Sequence, residues 1–287
     1  MKKIYQLLII TLTVMSACKT TNRAIKEATK LQYIRQATIL LEVNSKKILI
    51  DPVLSDKGTQ DPIPFSNDIR IPMNDLPIPK DKIIEQADAV LITHYHPDHF
   101  DEDAEKLFPK NILIFCQPFD VEKLKSKGFT NLKSIEQVVN WSGISIKRYE
   151  AHHHEGATGA MPFGESSSFS LTFKEDTIFI TGDAILDGLL KNALKIEKPT
   201  HIVANTGECI FSKPNPVLES GKHMTLTKEE LLRIAVENTK TILIAIHMDA
   251  INHCGLTKEE LRLFLKEQEK SIQDKILIPN EGEVLQL

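Results

Sequence analysis

The chain has 287 residues, of which 41% are hydrophobic and 26% charged, and its formal net charge is −4. This is an ordinary soluble globular composition, long enough for one large α/β domain or two small ones and for a core that needs no staples. A slightly acidic chain without runs of like charge lacks the basic footprint of a nucleic-acid groove, which argues against a nucleic-acid partner.

The first predicted element is not part of the fold. Lys2 and Lys3 precede a mostly apolar run over residues 4–14, and Met15-Ser16-Ala17-Cys18 follows. A basic start, a short apolar run and small residues before a cut describe a secretory signal, and the run is too short to span a bilayer. The small residues directly before Cys18 resemble the lipobox of bacterial lipoproteins, with Met15 where Leu is commoner. That resemblance implies removal of residues 1–17, lipidation of Cys18, a tether over residues 18–30, and an exported protein anchored to a membrane and facing the periplasm or the exterior. The remaining Cys116, Cys209 and Cys254 are sparse and odd in number, which is no disulfide framework. Cys116 ends an apolar run and reads as a core thiol.

Residues 38–43 and 47–50 read as a hairpin around Asn44-Ser45. Residues 52–79 carry six prolines and no regular pattern, which predicts a long loop of the kind that serves function. A strand follows over residues 89–93, then a helix from about residue 101, a strand over 112–116, and a helix over 120–127 stopped by Gly128. Residues 144–149 alternate as a half-buried strand. Residues 168–173 and 177–181 form a second hairpin, and residues 201–205 and 241–247 are later strands. Thr227-Lys228-Glu229-Glu230 and Thr257-Lys258-Glu259-Glu260 each match the capping box that opens a helix. No linker divides residues 31–287.

The strand at 89–93 leads into Thr93-His94-Tyr95-His96-Pro97-Asp98-His99, three of the ten histidines of the chain. His94 and His96 are two apart, so on extended backbone they point the same way and can grip one ion. Asp98 and His99 follow the bend at Pro97 and can serve a second. The string H-x-H-x-D-H, with Thr181-Gly182-Asp183 and the strand ending in His247, resembles the signature of the metallo-β-lactamase superfamily. The texture of Ile48-Leu49-Ile50-Asp51-Pro52, residues 151–164 and Val203-Ala204-Asn205-Thr206-Gly207 is similar to its lactonase-like and phospholipase-D-like branch. The resemblance covers most of the chain beyond residue 30. It implies an α/β fold, a four-layer αββα sandwich with two sheets face to face, helices outside and the ligand loops along one edge.

The same resemblance implies a dinuclear site. The first ion takes His94, His96 and His153, the second takes Asp98, His99 and His247, and Asp183 bridges. On an extended segment His153 points away from its neighbours His152 and His154, and the family's third histidine commonly stands two residues after a small one, here Ala151. His152 and His154 stay open as alternatives. Asp183 could instead cap a helix from Ala184 onward. His253 competes with His247, and failing that contacts the substrate or donates a proton. Asp51 either hydrogen-bonds a ligating imidazole or caps the proline-rich loop. Imidazole and carboxylate donors without thiolate suit two Zn²⁺ ions best, and accept Mn²⁺ or Fe²⁺.

Two such ions lower the pKa of a shared water, so the expected chemistry is attack by a metal-bridging hydroxide, oriented by Asp98. The predicted enzyme is a hydrolase cleaving an ester, lactone, amide or phosphodiester bond of a small-molecule or lipid-like substrate. Specificity is expected from residues 52–79, 156–164 and 211–224, including Lys213, Lys222 and His223. A flavodiiron-type oxidoreductase would favour Glu in the first cluster and carry a flavin module, and a nuclease would want a basic surface. A metal-binding surface lipoprotein without turnover is the non-catalytic alternative.

Overall fold

Runs in which every residue is apolar, such as Ile48-Leu49-Ile50, have no solvent face and are stable only as strands covered on both sides. The computed structural model describes residues 29–155, 164–216, 218–219 and 221–287 and shows what covers them. In chain order the elements begin β1 (Lys30–Arg35), β2 (Thr38–Val43), β3 (Lys46–Ile50), α1 (Lys80–Gln86), β4 (Ala89–Ile92), α2 (Glu102–Leu107) and β5 (Leu113–Cys116). Next come α3 (Val121–Ser126), β6 (Leu132–Ser134), β7 (Val138–Trp141), β8 (Ile144–Ala151), β9 (Ser166–Phe173) and β10 (Asp176–Ile180). The chain ends with α4 (Gly188–Glu197), β11 (His201–Asn205), α5 (Lys228–Glu237), β12 (Ile242–Ile246), α6 (Lys258–Lys266), α7 (Lys270–Gln273), β13 (Ile276–Leu277) and β14 (Val284–Gln286).

The strands form two seven-stranded sheets, β14-β1-β2-β3-β4-β5-β6 and β13-β12-β11-β10-β9-β8-β7. Each sheet is antiparallel on one side and parallel on the other. The parallel parts run from β3 through β6 and from β10 through β13. Alternation along the strands sorts the core into layers. Ile48, Ile50, Ala89, Leu91, Ile178, Ile180, Val203, Ile244 and Ile246 fill the space between the sheets. The residues between them face outward: Leu49, Val90 and Ile92 pack with Ile83, Ala104 and Leu124 of α1–α3. On the other side Phe179, Ile202, Leu243 and Ala245 pack with Leu190, Leu194, Leu231, Ile234 and Leu261 of α4–α6. The result is the αββα sandwich expected.

The two capping boxes form as predicted, with Thr227 and Thr257 accepting from the backbone N–H of Glu230 and Glu260. Four features differ from the sequence reading. The helix expected at residues 120–127 is a 3₁₀ turn, Pro118–Asp120, running into α3. Helix α4 starts at Gly188, capped by Asp187 rather than by Asp183. Lys30 is already in register with Glu42 and Gln286, so β1 begins inside the expected tether. Cys209 and Cys254 are joined in a disulfide, the pairing that the sparse cysteine count did not suggest. Cys116 is a buried free thiol, as read. The signal segment, Cys18 and the Gly156 and Gly159 positions lie outside the described residues. Among the described residues no helix is long and apolar enough to cross a membrane.

In open α/β sheets, loops at the carboxyl ends of parallel strands converge where a ligand can bind. Here those ends deliver Asp51 after β3, residues 93–99 after β4, Asp183 after β10 and His247 after β12. Both sheets therefore present polar residues at the same edge.

Candidate metal centre

The residues expected to ligate come together. His94, His96 and His153 place one donor atom each in a group whose members lie within 4.8 Å of one another, and Asp98, His99, Asp183 and His247 form a second such group. His153 Nε2 is 3.2 Å from His96 Nδ1. His99 Nε2 is 3.1 Å from Asp183 Oδ2, and His247 Nε2 is 3.3 Å from Asp183 Oδ1 and 3.3 Å from His99 Nε2. Asp98 Oδ2 lies 3.7 Å from His247 Nε2 and 3.9 Å from His99 Nε2. The carboxylate of Asp183 touches both groups, since its Oδ2 is also 3.7 Å from His153 Nε2.

These spacings fit a cation. Nitrogen and oxygen donors about 2.0–2.1 Å from a tetrahedral zinc ion stand roughly 3.3 Å apart from each other. Seven polar side chains around one point would otherwise be unfavourable. His94, fully buried, leaves Nε2 without a hydrogen-bond partner. A buried nitrogen of this kind costs about 1–3 kcal/mol unless something accepts its lone pair.

The surroundings fix which nitrogen each ring offers. His99 Nδ1–H donates to Asp51 Oδ2 at 2.9 Å, and His153 Nδ1–H donates to the Met224 carbonyl at 3.1 Å. An acceptor at Nδ1 keeps the proton there and leaves the Nε2 lone pair for the centre. Asp51 is itself held by the Thr93 backbone N–H and hydroxyl, each at 2.7 Å. Of the two placements weighed for Asp51, its side chain takes the one beside an imidazole; Thr38, bonded to the Asp51 carbonyl and the Val53 N–H, secures the loop instead.

Electrostatics favour the neutral imidazole and ionised carboxylates that a cation needs at His94, Asp183 and Asp98, but favour the charged ring at His99, whose proton a cation would have to displace. Burial pushes the His94 pKa well below the usual imidazole value, and the neighbouring imidazoles push it further. Burial opposes ionisation of Asp183, but His247 and His99 outweigh it and hold the acid well below the carboxylate range. Asp98 is likewise lowered, with His99 overcoming burial. His99 goes the other way: burial lowers it, while Asp183, Asp51 and Asp98 together raise it well above the ordinary value.

The other two histidines of the triple run turn elsewhere. His152 Nδ1 pairs with Asp187 at 2.5 Å, and His154 Nδ1 approaches the Glu155 carbonyl at 3.1 Å. The strand ends at Ala151, and the bend that follows brings His153 to the cluster while His154, also buried, lies against the Glu155 carbonyl. His223 sits between Glu155 and Glu230, Lys213 pairs with Asp68 and Lys222 with Glu155. None of these three lines the cavity beside the cluster.

That cavity, about 270 Å³, is bordered by His96, Pro97, Asp98, His153, Asp183 and His253 on its polar side. Ile63, Pro64, Phe65, Phe211 and Met224 make the rest of its wall. Two of the three segments expected to set specificity thus contribute. No lysine or arginine borders it among the described residues.

Sequence reasoning missed several supports. Asn205 donates to Asp183 Oδ1 at 2.7 Å. Gln36, fully buried, places its carboxamide nitrogen 3.0 and 2.9 Å from the two ring nitrogens of His247, and its carbonyl accepts the His247 N–H. The sulfurs of Cys209 and Cys254 each lie 3.6 Å from His247 Nδ1. Asn205, at the carboxyl end of β11, carried a positional signal; Gln36 and the cysteines carried none.

Comparison with known proteins gives the family. Residues 30–219 match the family described as a beta-lactamase superfamily domain. The UPF0173 protein YddR of Bacillus subtilis is 33% identical over 256 residues, covering 87% of this chain and 96% of the relative. A UPF0173 metal-dependent hydrolase of Sulfolobus acidocaldarius is 24% identical over 62% of this chain and 71% of its own. Among solved structures, an isothiocyanate hydrolase from Delia radicum gut bacteria is 34% identical with a TM-score of 0.82, covering 90% of this chain and 99% of that one. A possible metal-dependent hydrolase of Veillonella parvula is 27% identical, also with a TM-score of 0.82, over 91% and 100% of the two chains. The chain belongs to the metallo-β-lactamase superfamily, and within it is a metal-dependent hydrolase.

Proposed function

We propose that the protein is a dinuclear metallohydrolase acting on a small electrophile that carries an apolar group. The observation that carries this reading is Asp183, whose two oxygens lie between the His94–His96–His153 group and the Asp98–His99–His247 group. His94, His96 and His153 would hold one ion, Asp98, His99 and His247 the other, and Asp183 both. Zn²⁺ suits these donors, with Mn²⁺ or Fe²⁺ as alternatives. When bound, the pair would supply Lewis acidity, lowering the pKa of a water and polarising the scissile group. Asp98, ionised and bordering the cavity, would orient the attacking water. The apolar wall of Phe65, Phe211 and Met224 holds the substrate's hydrocarbon part and excludes bulk water.

An ester, lactone, amide or isothiocyanate carbon, or a phosphodiester, could be attacked there; no cationic side chain borders the cavity among the described residues, so the ions themselves would supply any attraction for an anionic substrate. The isothiocyanate arm rests on the 34% identical relative that hydrolyses such compounds. The test is metal analysis together with a panel of lactones, 4-nitrophenyl esters, phenethyl isothiocyanate and bis(4-nitrophenyl) phosphate. Two ions per chain, activity lost on chelation and restored by metal, and comparable loss in Asp98→Ala and Asp183→Ala are expected. One ion per chain, or activity surviving both substitutions, would overturn the reading. Full metal loading with no turnover of any compound would favour the non-catalytic alternative.

We also propose that the enzyme works outside the cytosol, tethered through a lipid on Cys18. Support comes from the basic and apolar start followed by Ser16-Ala17-Cys18, and from the Cys209–Cys254 disulfide, a bond typical of oxidising compartments. Labelled palmitate should enter the full chain and not the Cys18→Ala variant; equal labelling of both would refute the anchor.

A further inference from the structure

One residue of the cavity wall has a nitrogen outside the candidate ligand set, and that is His253. Its backbone is held from three sides. The His253 carbonyl accepts the Ile210 N–H at 2.9 Å. The next residue, Cys254, is bonded to Cys209. The preceding residue, Asn252, clamps the apolar wall: its side chain accepts the Ile63 N–H at 2.9 Å and donates to the carbonyls of Ile63 and Asn67 at 3.1 and 2.8 Å. A backbone fixed this firmly beside a reaction space has little entropy left to lose when the side chain it carries meets a ligand.

The ring is 8% exposed, and its Nδ1 is shut away with no hydrogen-bond partner. The opening to the cavity therefore lies on the Nε2 side. A proton on Nδ1 would be a buried donor with nothing to receive it. A proton on Nε2 leaves only a lone pair inside and points the donor at the cavity.

Resting on the reading of this cavity as the substrate site, we propose that His253 is a substrate-contacting residue whose Nε2–H donates a hydrogen bond to a heteroatom of the group being cleaved. Burial supports the role, lowering the imidazole pKa to about 4, so the ring works as a neutral donor at physiological pH. A fixed donor of this kind adds nothing in charge to the ground state and gains strength as negative charge grows on its partner. The residue would thus select for substrates with an oxygen, nitrogen or sulfur acceptor next to the carbon under attack.

The test uses the metal-loaded protein with 4-nitrophenyl butyrate as the probe. His253→Phe keeps a ring against Phe211 and removes both nitrogens; His253→Gln keeps a donor near the Nε2 position. Expected is a loss of about 10²-fold in kcat for His253→Phe with KM little changed. Recovery of most of that loss in His253→Gln, with metal content and melting temperature equal in all three, completes the pattern. In protein labelled with ¹⁵N-histidine, His253 should be the Nε2-protonated tautomer at pH 7, and butyrate should shift that resonance. Wild-type kcat in the metal-replete His253→Phe variant, an Nδ1-protonated tautomer, or no shift with butyrate would each overturn the proposal. Absence of turnover in the wild type would count against the hydrolase reading itself, and the two spectroscopic measurements would then decide His253 alone.

Discussion

Replacing Asp51 with Asn separates the charge and acceptor capacity of this carboxylate from its shape. The side chain is 1% exposed, and its φ of +46° lies in the left-handed region that Asn occupies readily, so the exchange adds no backbone strain. Asp51 Oδ1 accepts the Thr93 N–H; Oδ2 accepts the Thr93 hydroxyl and the His99 Nδ1–H. In Asn one of the two oxygens becomes an NH₂ group. At the Oδ1 position it would face a backbone N–H that cannot reverse. At the Oδ2 position it would face the His99 Nδ1–H, and relief would come only by moving that proton to Nε2. That nitrogen is the one 3.1 Å from Asp183, and a proton there removes the lone pair meant for the ion. Either arrangement sets buried donor against donor at a cost of about 1–3 kcal/mol. Loss of a partner behind a ligating imidazole weakens metal binding about 10–100-fold, or roughly 1.4–2.7 kcal/mol. Competition against a chelator of known affinity, on wild type and Asp51→Asn side by side, measures it. Folded variant protein with affinity within twofold of wild type would refute the argument that Asp51 sets the tautomer of His99.

Two further outcomes follow from the same structure. The Cys209–Cys254 bond joins residues 45 apart, and closing a loop of that size removes about 4 kcal/mol of unfolded-state entropy. A Cys209→Ser/Cys254→Ser double variant should lose stability of that order in urea unfolding, and a difference below about 1 kcal/mol would show that the bond does not constrain the unfolded chain. Asp120 is buried, and burial raises its pKa to about 6, with the Gln117 hydrogen bond only partly opposing. A raised folded pKa means stability present below about pH 4 and lost as pH rises through about 6. Asp120→Asn should therefore be more stable than wild type at pH 7 by up to about 3 kcal/mol, with the gap closing by pH 4. A gap independent of pH would place the effect in packing instead.

Much of this architecture was legible because burial on both faces leaves a plain mark. Ile48-Leu49-Ile50 and residues 242–246 read as covered strands for that reason. His94 to His99 and Asp183 were legible because each follows such a strand, where direction alone places a side chain at the sheet edge. His153 was separable from its neighbours by the spacing after Ala151 that the family resemblance implies and by the alternation expected of an extended segment, although β8 itself stops at Ala151. What stayed hidden depends on pairing between remote segments. Strand β14 is three residues long and partly exposed, and its role appears only through Lys30↔Gln286 and its neighbours. Helix α4 has a normal cap in Asp187 before Leu189-Leu190, but the sequence around Asp183 offers a second acidic cap four residues earlier, so its start is not fixed by capping chemistry alone. The disulfide depends on β11 and β12 lying side by side, which two isolated cysteines do not encode.

The provenance of the donors has a consequence for how the two halves of the molecule are joined. His94, His96, Asp98 and His99 ride on the sheet built from β1–β6 and β14, whereas His153, Asp183 and His247 ride on the other. Neither half carries all seven candidate donors, so a cation held by both groups would favour the arrangement in which the two sheets meet. Loading at a hundred times the dissociation constant would stabilise the folded chain against unfolding by about 2.7 kcal/mol. Starvation for metal would then reach beyond catalysis and loosen the edge at which the sheets meet.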